Sequence, residues 1–145
     1  MSIIRYLLIA FVILALLPAS VSADIVVIVN PANKIESLSK RQVVDLYMGR
    51  KSHFPNGTRP LRFDQPSNSN LRAVFYYQLT QMSLPSINAY WARLVFTGRA
   101  SAPLALASDD EMLEVVEKNQ HAIGYIDKKY LNDRVKVIFE LNLNQ

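Results

Sequence analysis

Ile25-Val26-Val27-Ile28-Val29 constrains the fold more than any other segment. It is five β-branched residues in a row, stopped by Asn30-Pro31. A strand with one wet face would place a polar residue at every second position. An unbroken apolar run instead suits a strand buried on both sides, as in a sheet covered by helices.

Helix signals follow at the spacing such a sheet needs. Ser39 and Gln42 form a Ser-x-x-Gln capping box, with Leu38 and Val43 at the staple positions. They predict a short helix from about Lys40 to Met48, ended by Gly49. Pro55 and Asn56-Gly57 mark a loop over 50–59, and Leu61 to Asp64 reads as a second strand. Ser67-Asn68-Ser69-Asn70 offers several N-caps for a helix carrying Leu71, Val74, Phe75, Leu79 and Met82 on one face. The segment Ser83 to Ser86 starts another helix, with the stripe Ile87, Tyr90, Trp91, Leu94 and Val95 and with Gly98 at its close. A loop around Arg99 to Ala107 leads to Ser108-Asp109-Asp110-Glu111, a second capping box whose acidic residues favour the helix dipole. That helix runs to about Lys118. Ala122 to Ile126 and Val135 to Phe139 are the last two strand candidates. The order strand, helix, strand, three-helix stretch, strand, strand predicts a single α/β domain of two or three layers, its mixed sheet flanked by helices.

The segment ahead of the first strand reads differently. Arg5 is its only charge, Ile3 to Leu17 is apolar apart from the Tyr6 hydroxyl, and Pro18 ends the run. Val21-Ser22-Ala23 supplies the small-x-small pattern of a cleavage site. An apolar run of roughly 15 residues is shorter than the about 20 needed to span a bilayer. Residues 1–23 are therefore expected to be a cleavable signal peptide and residues 24–145 a mature extracytoplasmic domain, sized for one core. The chain has no cysteine, so neither a lipid-anchored form nor a disulfide framework is expected, and cleavage leaves no stable membrane anchor. The formal charge is +4, to which Arg5 contributes one, and the basic residues are spread along the chain. Nucleic-acid binding therefore lacks support. His53 and His121 sit in separate loop-like contexts without ligand spacing, so no metal or cofactor is expected.

An enzyme needs a nucleophile with a base, a carboxylate pair or a metal. Asp109, Asp110 and Glu111 are accounted for by capping. Glu114 and Glu117 fall on the wet face of the same helix, and Asp45 is solvated or paired with a nearby Lys or Arg. The spacing of Tyr47, Tyr76, Tyr77, Tyr90, Trp91 and Phe96 fits core packing. No catalytic constellation emerges.

The segment Phe63 to Arg72 remains. A strand ends there, a polar turn follows, and a helix begins, so unpaired backbone N–H groups point outward with partial positive charge. Ser67 and Ser69 add hydroxyls, Asn68 and Asn70 add amides, and Arg72 offers a fork of N–H donors. That set suits phosphate or another small oxyanion. Ordinary capping explains the same Ser and Asn residues. Asp64 opposes an anion there unless it pairs with Arg62, Arg72 or another cation.

Four segments in order carry a resemblance. Ser37 to Lys51 resembles the "leucine-serine … isoleucine-phenylalanine-x-glycine-lysine" segment of phosphate-binding proteins that serve bacterial ABC transporters. Ala89-Tyr90-Trp91, Phe96-Thr97-Gly98 and Ala122-Ile123-Gly124-Tyr125 fall where those proteins carry tryptophan-containing and "glycine-alanine-isoleucine-glycine-tyrosine" segments. The resemblance covers almost all of 24–140 and implies one lobe of a type 2 periplasmic binding protein. It implies a periplasmic location and phosphate transport or sensing; that no enzymatic activity is expected rests on the missing catalytic constellation. In that family an "arginine-x-x-x-serine-glycine-threonine" turn seats phosphate. Here Asp64 stands at the arginine position, Ser69 at the glycine, and Asn68 and Asn70 at the serine and threonine. Arg72 is the replacement cation. A lone lobe leaves the site open, so a homodimer, an ABC transporter or another envelope protein is the partner implied. The other reading is a non-enzymatic envelope interaction domain that has lost ligand binding.

Overall fold

The computed structural model describes residues 24–142. The expected signal peptide, residues 1–23, lies outside them. Strand β1 (Ile25–Val29) is followed by α1 (Lys40–Tyr47), β2 (Leu61–Asp64), α2 (Asn70–Thr80), α3 (Leu84–Phe96), β3 (Leu104–Ala105), α4 (Asp109–Lys118), β4 (Ala122–Asp127), a 3-10 turn (Lys128–Tyr130) and β5 (Lys136–Leu141). The five strands form one mixed sheet in the order β3-β2-β4-β1-β5. β2 runs parallel to β3 and β4, while β1 is antiparallel to β4 and β5.

The β1 run does what its composition predicts. All five residues have no exposed surface, and their alternation divides them between two cores. Ile25, Val27 and Val29 face a cluster built from α1, α2 and α3, including Val43, Leu46, Phe75, Ile87 and Trp91. Val26 and Ile28 face Met112, Leu113 and Val116 of α4. The domain is therefore three-layered, with three helices on one side of the sheet and one on the other. Full burial of each such side chain contributes about 1.5–3 kcal/mol, so this strand anchors both cores.

Local signals set the helix ends. Ser39 caps α1 and Gln42 returns the bond to the Ser39 N–H at 2.8 Å, completing the box. Ser69, Ser83 and Ser108 each accept from the third residue of their helices. At α4 the second half of the box is displaced, because Glu111 accepts from the Ala107 N–H. Three other expectations need correction. The loop 99–107 contains the short β3, which the sequence reading left without structure. Val95 and Phe96 are exposed, Phe96 almost wholly at 93%, because α3 ends at the edge of the layer. On α2, Leu71 and Val74 are only half-buried, as is Met82 just past the helix end, and Tyr77 is exposed rather than packed in the core, whereas Arg72 and Tyr76 join Phe75 and Leu79 inside. Among the described residues no helix is long and apolar enough to cross a membrane.

Gly49 and Gly57 both have positive φ, +68° and +85°. A Cβ at Gly49 would lie 2.8 Å from Trp91 Cη2, whereas one at Gly57 meets open space. Alanine at either site should cost about 1–2 kcal/mol through left-handed backbone strain. Gly49→Ala should cost a further ~1–3 kcal/mol through overpacking against the indole. Urea denaturation of the two variants reads the difference, and equal losses would refute the Trp91 contact as its cause.

Candidate functional site

The candidate segment lies where the parallel strands end. β2 runs into the turn Gln65–Ser69 and then α2, while β3 runs into α4, so both helices begin at the carboxyl edge of the sheet. Open α/β sheets bind ligands at this edge. Gln65 links the two starts: its amide Nε2 donates to Asp109 Oδ1 at 2.6 Å and to the Tyr125 carbonyl at 2.8 Å.

Asp64, the last residue of β2, is buried at 3% exposure, and its carboxylate accepts four hydrogen bonds. Oδ1 receives the Gln65 N–H at 2.9 Å and the Tyr125 hydroxyl at 2.5 Å. Oδ2 receives Arg72 Nε at 3.1 Å and the Tyr76 hydroxyl at 2.9 Å. These donors fill the acceptor capacity of the group. Arg72 is equally enclosed. Its Nη1 donates to Asn88 Oδ1 at 2.9 Å and to the Ser67 carbonyl at 3.3 Å, and its guanidinium lies 5.1 Å from the Tyr76 ring centroid. The expected fork of N–H donors is therefore turned inward, its charge balanced by Asp64.

The other expected residues fall into two groups. Ser69 Oγ accepts the Arg72 N–H at 3.1 Å and acts as the helix cap. Ser67, Asn68 and Asn70 are exposed at the surface around it. Among the described residues the backbone N–H groups of Asn70 and Leu71 donate to no protein acceptor. The start of α2 thus presents neutral donors, its own arginine, Arg72, being paired with Asp64. Nearby, burial raises the Asp109 carboxyl above its ordinary range; the Gln65 bond opposes that, Asp127 and Asp110 reinforce it, and Lys129 lowers it.

Burial also raises Tyr47, Tyr76 and Tyr125 well above the usual phenol value, and the charge of Asp64 reinforces it in all three. Tyr47 packs edge-on against Phe75 at 5.0 Å, and Phe75 stacks on Tyr125 at 3.6 Å. The Tyr47 hydroxyl donates to the Phe63 carbonyl at 2.9 Å. The sequence reading placed Tyr47 and Tyr76 in the core, made no such assignment for Tyr125, and missed the bonds of Tyr76 and Tyr125 to Asp64. The helical spacing of Arg72 and Tyr76, i and i+4, was the available signal that both reach one acceptor.

With this geometry in view, solved structures supply the comparison. An ABC-type phosphate transport receptor from Vibrio cholerae superposes with a TM-score of 0.63 at 19% identity, over 80% of this chain and 46% of its own. A protein described as a phosphate ABC transporter substrate-binding protein, from Clostridium perfringens and solved with bound phosphate, gives 0.64 at 18%, over 80% and 45%. The fold matches one lobe of these receptors. The chain spans less than half the length of either. No family model matches the sequence, and no curated protein matches it.

Two outcomes test the buried network. Asp64→Asn leaves Arg72 buried without a counter-charge and should cost about 3–5 kcal/mol. Adding Arg72→Met should recover part of that loss, so that the double variant is less destabilised than the sum of the singles in urea titrations. A single-variant loss below about 1 kcal/mol would sink the assignment. Separately, the phenols of Tyr47, Tyr76 and Tyr125 should stay protonated through the ordinary tyrosine range. Raised folded-state values mean stability that is complete below about pH 10 and falls as pH rises beyond it. Absorbance titration should show these three ionising only with alkaline unfolding.

Proposed function

We propose that this chain is a non-enzymatic solute-binding module that holds phosphate or a related small oxyanion at the start of α2. In this reading residues 1–23 are removed on export and residues 24–145 act in the periplasm, in transport or sensing alongside an ABC transporter. The observation that carries the reading is the open helix start at the carboxyl end of β2. Two uncapped backbone N–H groups lie there, ringed by Ser67, Asn68 and Asn70. Its support is the likeness of the fold to one lobe of phosphate-transport receptors.

The donors are the Asn70 and Leu71 amides with the Ser67 hydroxyl and the Asn68 amide. Arg72 acts from beneath as a positioning residue, since it fixes the turn through the Ser67 carbonyl. Such a site is weak by construction. An exposed helix dipole contributes about 0.3–1 kcal/mol, whereas micromolar affinity requires about −8 kcal/mol. Millimolar binding follows, unless a second copy or another envelope protein covers the turn. A second reading, an interaction domain that has lost its ligand, draws on the pairing of Arg72 with Asp64, which leaves no cation at the turn.

Isothermal titration with phosphate, sulfate and a neutral sugar separates the two. Saturable millimolar binding of phosphate is expected, with none of the sugar. Asn70→Asp puts a negative charge at the first turn, where it favours the helix dipole by about 0.3–1 kcal/mol and repels an anion. That variant should keep or raise thermal stability while abolishing the phosphate signal. Absence of saturable heat in the native protein would favour the interaction-domain reading.

A further inference from the structure

Beyond the end of α1 the chain is held tightly. After the left-handed turn at Gly49, the N–H groups of Arg50 and Lys51 both donate to the Asp45 carbonyl, at 2.9 and 3.0 Å. Phe54 is buried at 3% and exchanges backbone bonds with Thr58 and Gly57, so the loop is anchored at its middle. Between this loop and the outer side of α1 lies a cavity of about 650 Å³. Arg41, Arg50, Lys51 and His53 line it, over an apolar floor of Leu46 and Phe54.

The lining contains one carboxylate, Asp45, and its approach to Arg50 is 4.0 Å, the outer limit of an ion pair. Arg41 and Lys51 have no acidic partner among the described residues. A second cavity of about 470 Å³, lined in part by Arg59 and Arg62, adjoins it through Ser52. The asymmetry extends over the fold. Residues 40–108 carry nine Lys or Arg against Asp45 and Asp64, and Asp64 is already paired with Arg72. The acidic residues of α4 lie on the opposite side of the sheet.

We propose that this cavity is a second binding site, for a small molecule carrying two or more negative charges of the oligophosphate or polycarboxylate class. Its volume falls within the roughly 300–1,000 Å³ of small-molecule sites. Guanidinium forks meet phosphate or carboxylate oxygens in paired hydrogen bonds, and the lysine adds a point charge. An anion here relieves repulsion among cations that the anchored loop already holds together, so little ordering is needed on binding. The site is separate from the start of α2 and does not depend on what binds there.

Calorimetric titration of the purified protein with inorganic tripolyphosphate and with citrate, in phosphate-free buffer of low ionic strength, tests this. Saturable one-to-one binding of at least one probe is expected, with Kd below about 1 mM. Arg41 and Lys51 are exposed, so the double variant Arg41→Ala/Lys51→Ala keeps the fold, which circular dichroism checks. It should weaken binding at least tenfold. Asn70→Asp, which removes the α2 site, should leave it within twofold. No saturation with either probe would overturn the proposal. So would binding that the double variant leaves intact, binding abolished by Asn70→Asp, or saturation only with anionic vesicles or an acidic peptide.

Discussion

The carboxylate of Asp64 is the point on which the domain is organised. A buried charge is costly unless it is paired and hydrogen-bonded, and here every acceptor position is used. The donors come from the turn that follows β2, from α2 and from β4, and Arg72 extends the network to Asn88 of α3. One side chain thus orients a strand end, two helices and a neighbouring strand. The aromatic cluster of Tyr47, Phe75, Tyr76 and Tyr125 closes around it and excludes water, which strengthens each polar contact inside.

That arrangement has a consequence for the site above it. The strongest cation near the start of α2 is committed to the interior, so the turn offers hydroxyls, amides and backbone N–H groups alone. Such donors bind a small anion through geometry more than through net charge. The turn is nonetheless well placed, because Arg72 holds the Ser67 carbonyl and Ser69 caps the helix. Positioning is supplied from below, while electrostatic attraction is left to the helix dipole.

Charge that is absent from this edge is concentrated elsewhere. The cations that follow α1 stand on an anchored loop and have little acidic company, whereas α4 is acidic at its start and packs on the other face of the sheet. The domain is mildly basic as a whole yet strongly divided between its two sides. Long-range attraction of anionic solutes therefore favours the α1 side, at distances within the roughly 10 Å screening length of ordinary salt.

Much of the architecture was legible in the sequence because its determinants are local. The β-branched run at 25–29 needs no partner to declare a doubly covered strand, and the serine caps at 39, 69, 83 and 108 act within three residues of themselves. The capping residues Ser67 to Asn70 were likewise readable as a helix start. What a side chain does across the fold was not readable. Tyr125 meets Asp64 from 61 positions away, and Arg72 is drawn inward because that carboxylate is buried beside it. The same holds for Phe96, whose helical position resembles a core position but whose helix ends beyond the layer that would cover it. Propensity and capping are decided by the nearest few residues, so the sequence alone determined the elements and their limits. Burial and pairing of charge depend on which distant groups arrive together, and only the tertiary structure decided that Arg72 supports the turn from within.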